Sequence, residues 1–339
     1  MQWVPGSGVR LLGVAFAVLV LGASSFSAAA EMHLFRIATG GPGGTYYPVG
    51  NLIARAISQP PDAPPCADVK RCGVPGLVAV AQTANGSVAN VKAVGAGRLE
   101  SGFAQSDVAY WAYSHSGIFQ DTEFYPNLRA IAGLYAETVH IVARKGASIH
   151  SVRDLAGKHV SLDEPGSGTL VDARLILRAY GLSEADIDPE YIKPTLASER
   201  IRSGDLDAFF IVAGFPVTSI RQLAESTDVT LVPIDGKERQ RLIKDYRFFS
   251  SQSIRAGVYK GVGRTPSIGV RALWVTRSDM DNTLIYDITR ALWNGSSRKL
   301  LGEGHPKARE IRLDTALDGV AIPLHPGAKR YYEEAGLSP

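Results

Sequence analysis

The stretch from Leu34 to Ile57 restricts the possible folds of this chain more than any other. Leu34 to Ala38 is a short apolar run that reads as a buried strand. The loop Thr39-Gly-Gly-Pro-Gly-Gly-Thr45 follows, and then Tyr46, Val49, Ile53 and Ile57 recur at helical spacing. Strand, glycine loop and helix in that order build an anion site. The first N–H groups of a helix have no intrahelical acceptor, and the helix dipole favours negative charge there. Gly43 and Gly44 would let the backbone approach a ligand closely. A tight turn whose glycines serve only sterics is the competing reading of this segment.

Residues 1–30 have the pattern of a cleaved export signal. Arg10 supplies the positive region, Leu11 to Leu21 the apolar region, and Ala28-Ala29-Ala30 the small residues before a cut at Glu31. The apolar run is short for a membrane span, so the mature protein is expected in the periplasm, soluble and monomeric. The chain carries 36 Lys and Arg against 33 Asp and Glu, a net charge of +3 that falls by one with Arg10. So slight an excess, scattered along the sequence, gives no footprint for nucleic acid. Hydrophobic residues make up 45%, enough for a full core. Two cysteines, Cys66 and Cys72, lie in a Pro-rich segment, and an even count in an exported chain favours one disulfide between them. Without a nearby His they make a poor metal cage.

Beyond the first helix the pattern alternates strand and helix, which predicts an α/β fold with largely parallel sheets. Apolar runs at Leu77–Ala81, Ser101–Gln105, Leu128–Leu134 and Val139–Ala143 read as strands, with helices starting near Gly86 and Ser106. A second block begins near Ser148, with strands at Val160–Leu162, Asp207–Val212 and Val229–Ile234. The strand ending in Ala213-Gly214-Phe215-Pro216 brings Gly214 to the same expected edge. The length suits two lobes: residues 31–136 with 236–339, and residues 137–235, joined by links near Leu134–Val139 and Ile234–Gly236.

The second block repeats the plan of the first. Glu164-Pro-Gly-Ser-Gly-Thr169 again joins a strand to a helix through a Pro/Gly loop ending in Thr. Ligands of open α/β sheets sit outside the carboxyl ends of the strands, so two such loops, one per lobe, would face each other across a cleft. Enzyme templates fail in turn. The first loop lacks the Lys-Ser/Thr ending of a phosphate-binding loop, and Ser167 lacks the Gly-x-Ser-x-Gly frame of a nucleophile elbow. The seven histidines are dispersed, and His140 alone falls where the chain would cross between lobes, as a ligand contact or as a satisfied polar residue. Gln105-Ser-Asp107 forms a polar cluster at a strand-to-helix turn, where simple capping is the alternative. No catalysis and no cofactor are expected.

Taken together, these segments resemble the TAXI family of solute-binding proteins from TRAP transporters. The resemblance rests on Ile37-Ala-Thr-Gly-Gly-Pro-Gly-Gly-Thr-Tyr-Tyr-Pro48, Gly86-Ser-Val-Ala-Asn90, Ala104-Gln-Ser-Asp-Val-Ala109, Glu137-Thr-Val-His140 and Pro165-Gly-Ser-Gly-Thr169, with Pro233-Ile-Asp-Gly236 and Ile322-Pro-Leu-His-Pro-Gly327. It implies a two-lobed periplasmic binding fold that closes over a small organic anion, such as glutamate or 2-oxoglutarate, and delivers it to a TRAP-type membrane permease. Carried over by motif, the ligand contacts would include Thr45, Tyr46, Ser87, Asn90, Gln105, Asp107, Ser167, Gly168 and Thr169. The segment Cys66 to Gly76 departs from the family, and Asn85 stands where a Gly is common. A ligand sensor that docks on a membrane receptor is the alternative role for the same fold.

Overall fold

The computed structural model describes residues 1–4, 6, 32–63 and 73–337. The expected export signal and the Cys66–Cys72 pair lie outside these residues, apart from a few at the amino terminus. In chain order the strands are β1 (His33–Ala38), β2 (Ser58–Gln59), β3 (Val74–Pro75), β4 (Leu77–Gln82), β5 (Ser101–Gln105), β6 (Leu128–Arg144), β7 (His159–Ser161), β8 (Asp188–Glu190), β9 (Ala208–Ala213), β10 (Val229–Leu231), β11 (Ser250–Ile254) and β12 (Thr265–Arg277). The helices are α1 (Tyr46–Ile57), α2 (Ser87–Gly95), α3 (Ser106–Ser114), α4 (Gly168–Ala179), α5 (Pro194–Ser203), α6 (Thr218–Ser226), α7 (Gly236–Asp245), α8 (Asn282–Leu292), α9 (Gly295–Gly304) and α10 (Pro326–Glu334).

Ten strands form one mixed sheet in the order β4-β1-β5-β12-β6-β9-β7-β8, with β10 on β6 and β11 on β12. At one end β4, β1 and β5 are parallel; at the other, β8, β7 and β9 are parallel. β6 and β12 run through both halves. The first part of β6 pairs with β12, and its last residues, Thr138 to Ala143, pair with β9. β12 begins against β11 and continues between β5 and β6. The link expected at Leu134–Val139 is therefore continuous strand, because ladder bonds to two partners in succession leave no residue of that stretch unpaired long enough to form a loop.

Helices cover both faces because the strands are apolar on both sides. Phe35, Ile37, Phe103 and Trp274 project to one face and pack with Val49 and Ile53 of α1, Ile285 and Ile288 of α8 and Tyr332 of α10. Val91 and Val94 of α2 and Val108 of α3 cover the opposite face, in a core continuous with Ile176 of α4 and Phe210 of β9. A third cluster joins Phe209 and Ile211 to Ile201 of α5 and Ile220 of α6. Burying a side chain of this size contributes about 1.5–3 kcal/mol. Helix α7, placed after the expected return to the first lobe, packs instead on α4, β11 and β12.

Candidate ligand-binding site

Six helices start where strands end, and all six starts lie along the line where the two halves meet. β1 leads through the glycine loop to α1, β4 to α2 and β5 directly to α3; β7 leads to α4, β8 to α5 and β9 to α6. Side chains and turns prepare these starts. Ser167 caps α4, its Oγ accepting from the Leu170 N–H at 3.1 Å. Gly86 precedes α2 with φ of 108°, a conformation that favours glycine.

The two halves are shut against each other. Thr45 Oγ1 donates to the Gly214 carbonyl at 2.5 Å, and Ser219 N–H donates to the Gly43 carbonyl at 3.2 Å. Ala89 N–H donates to the Gly166 carbonyl at 2.9 Å, and Asn85 Nδ2 to that of Pro165 at 3.2 Å. Between these contacts remains a cavity of about 90 Å³.

Gly43, Gly44, Thr45, Tyr46, Ser87, Gln105, Ser167, Gly168 and Thr169 line the cavity. Most of their side-chain polar atoms are already engaged. Ser87 Oγ accepts from Gln105 N–H at 3.0 Å, and Thr169 Oγ1 accepts from Val212 N–H at 3.0 Å. What stays open to a solute is chiefly backbone: the first N–H groups of α1, α2 and α4 that have no acceptor within their helices, apart from those of Ala89 and Leu170, which donate to the Gly166 carbonyl and to Ser167 Oγ. Four other expected residues lie outside the lining. Asn90 Nδ2 donates to the carbonyls of Ala38, Thr39 and Phe103, tying α2 to β1 and β5. Asp107 is buried behind Gln105, and Gly214 is a backbone partner of Thr45. His140 is enclosed: one ring nitrogen meets the Thr138 carbonyl at 2.9 Å and the other the Tyr259 hydroxyl at 3.0 Å. Tyr259 already accepts from Val217 N–H, so its own proton points to His140. Burial pushes this imidazole down to about 4 and keeps it neutral.

Charged residues outside the expected ligand contacts complete the wall. Glu137, Asp163, Glu164 and Lys193 all line the cavity. Glu137 comes from the middle of β6 and accepts the Tyr46 hydroxyl proton at 2.7 Å. Burial pushes its carboxyl up to about 8, against the opposing effect of the Tyr46 bond. Burial likewise lifts Asp163 to about 7, although the Glu164 N–H donates to it at 2.8 Å. At neutral pH Glu137 is therefore protonated, and this part of the wall does not repel an anion. Lys193 Nζ lies 3.5 Å from Glu164 Oε1. Glu137 did carry a signal, a lone carboxylate in an apolar strand; Lys193, before the Pro that starts α5, carried none.

The model of the NMT1-like family matches residues 37–336, and the chain belongs to that family. In structure it is similar to PhnD1 from Prochlorococcus marinus in complex with methylphosphonate, at 11% identity and a TM-score of 0.52 over 82% of this chain and 91% of that one. It is also similar to a protein of Bordetella bronchiseptica RB50, at 15% identity and a TM-score of 0.50 over 90% of each chain. The alkanesulfonate-binding protein SsuA from Xanthomonas axonopodis pv. citri, bound to MOPS, matches at 17% identity and a TM-score of 0.47, over 90% and 85%. The fold is that of the two-lobed periplasmic binding proteins.

Proposed function

We propose that this member of the NMT1-like family is an exported solute-binding protein that captures a small organic anion between its lobes, without catalysis. The observation that carries the reading is the convergence of the α1, α2 and α4 starts, from both halves, on one shut cavity with a neutral Glu137 in its wall. An anionic group is favoured there by unpaired N–H donors and by the positive ends of three helices. Charge-assisted bonds of this kind contribute roughly 1.5–3 kcal/mol each. We assign the solute to the carboxylates, the class of glutamate and 2-oxoglutarate, and the receiving partner to a TRAP-type membrane permease, on the motifs from Ile37 to Pro48 and Pro165 to Thr169. The closed shape, with its solute enclosed, is what such a permease would read.

The lobes we propose are divided by β6 and β12, bending near Thr138 and Gly269, where β6 changes partner from β12 to β9. Residues 1–30 would direct export; among the described residues no helix is long and apolar enough to cross a membrane.

The test is a thermal-shift screen of the purified chain against dicarboxylates, acidic amino acids, sulfonates, phosphonates, amines and neutral sugars. A solute at one hundred times its Kd stabilises the folded chain by about 2.7 kcal/mol. Stabilisation by a carboxylate is expected. A shift with amines or sugars alone would overturn the anion assignment, and one with sulfonates or phosphonates alone would replace the carboxylate.

A further inference from the structure

Behind the cavity, two acids from opposite lobes meet in a fully enclosed space. Asp107 is in the first turn of α3 and Asp172 in the second turn of α4, and both are 0% exposed. Their carboxyls are in direct side-chain contact. Asp172 Oδ2 accepts from Gln105 Nε2 at 2.6 Å, a bond that itself crosses between the halves. The other three oxygens, Asp172 Oδ1 and both of Asp107, have no hydrogen-bond donor. Among the described residues neither carboxyl has an ion-pair partner. The groups facing the pair do not supply a cation. Gln105 is neutral, and Glu137 on β6 is a third acid, itself hydrogen-bonded by Tyr46 and within the electrostatic reach of Lys307. The α3 N–H groups of Asp107 and Val108 lie near enough to favour the charged form, without reaching hydrogen-bond geometry.

Two buried carboxylates in contact present only acceptors, so the contact holds only if one of them brings a hydrogen. We propose that Asp107 and Asp172 share one proton across the cleft and so form an acid clasp that couples lobe closure to proton uptake. Opening the cleft would return both carboxyls to water, where each ionises near 4. In the closed chain burial lifts Asp107 to about 6, and burial together with Asp107 pushes Asp172 well above the carboxylate range. Between those values closure binds a proton, and the closed form is favoured as pH falls. The clasp rests on the two-lobed fold and not on the identity of the solute. A failed solute screen would leave it standing.

Small-angle X-ray scattering of the solute-free chain from pH 5 to pH 8 reads the closed fraction through the radius of gyration. The wild type is expected to open as pH rises. Glu137 and Asp163 titrate in their own right, so the clasp is read as the difference between the wild type and Asp107→Asn. The Asn amide donates to Asp172 without a borrowed proton. Its closing equilibrium should therefore lose about tenfold less per pH unit, the equivalent of one proton. Asp172→Asn should act in the same way, and far-UV circular dichroism checks that each variant folds. Equal slopes in the wild type and in whichever variants fold, or a radius that does not change with pH, would overturn the clasp.

Discussion

Glu137 shows how one residue can report its environment. It interrupts an apolar strand, is 1% exposed, and meets Tyr46 from a segment 91 residues away. Its carboxyl ordinarily titrates near 4.5 and is pushed up to about 8 by burial. Between those two values the folded chain holds a proton that the unfolded chain has released. Stability should therefore fall as pH rises from about 4.5 to 8 and level off above. Glu137→Gln removes this contribution and should flatten the slope by up to about 1.4 kcal/mol per pH unit. Urea unfolding midpoints at pH 5, 6.5 and 8 give the measurement; equal slopes in the two proteins would mean that Glu137 is solvated. Asp107 and Asn90 show the opposite limit. Their identities suggest ligand contacts, but their places on α3 and α2 turn one toward Asp172 and the other toward the sheet.

At the scale of elements, strand, glycine loop and helix start were legible because each has a local cause. Apolar alternation, positive φ at Gly86 and Gly166, and capping by Ser167 act within a few residues. The fit between the elements was not legible. Gly168 begins α4, and a Cβ there would overlap Gln105 Oε1 on the other lobe. Helical backbone accepts alanine readily, so the obstruction is to closure rather than to folding. Gly168→Ala should unfold within about 0.5 kcal/mol of the wild type. It should bind the solute that stabilises the wild type at least about tenfold more weakly, roughly 1.4 kcal/mol. Isothermal titration with that solute decides the point, and unchanged affinity would mean that the closed arrangement is not the binding form.

For the whole molecule, the unbroken run of the two long strands through both halves is the feature that no local pattern records. A hydrophobic run broken by Glu137 and Thr138 reads as two strands with a link, and only pairing with β12 and then β9 makes it one. Gly269 sits opposite Thr138 at that change of partner, and a Cβ there would strike the Glu137 carbonyl oxygen. The obstacle is backbone and cannot swing aside. Gly269→Ala should therefore destabilise the chain by about 1–3 kcal/mol, lowering the thermal midpoint. A midpoint equal to the wild type would show that β6 and β12 separate there at little cost.

The sequence by itself determined the α/β class, the two glycine loops with their helix starts, and the residues of the loops that face the cavity, from Gly43 to Tyr46 and from Ser167 to Thr169. These follow from periodicity, turn chemistry and capping, which act between neighbours along the chain. Only the tertiary structure decided that Glu137, Asp163 and Lys193 share the wall, that Asp107 meets Asp172, and that β6 and β12 run unbroken through both halves. Those facts depend on strand register and on the packing of helices across the cleft. Both join residues far apart in sequence, and no local pattern records which of them will meet.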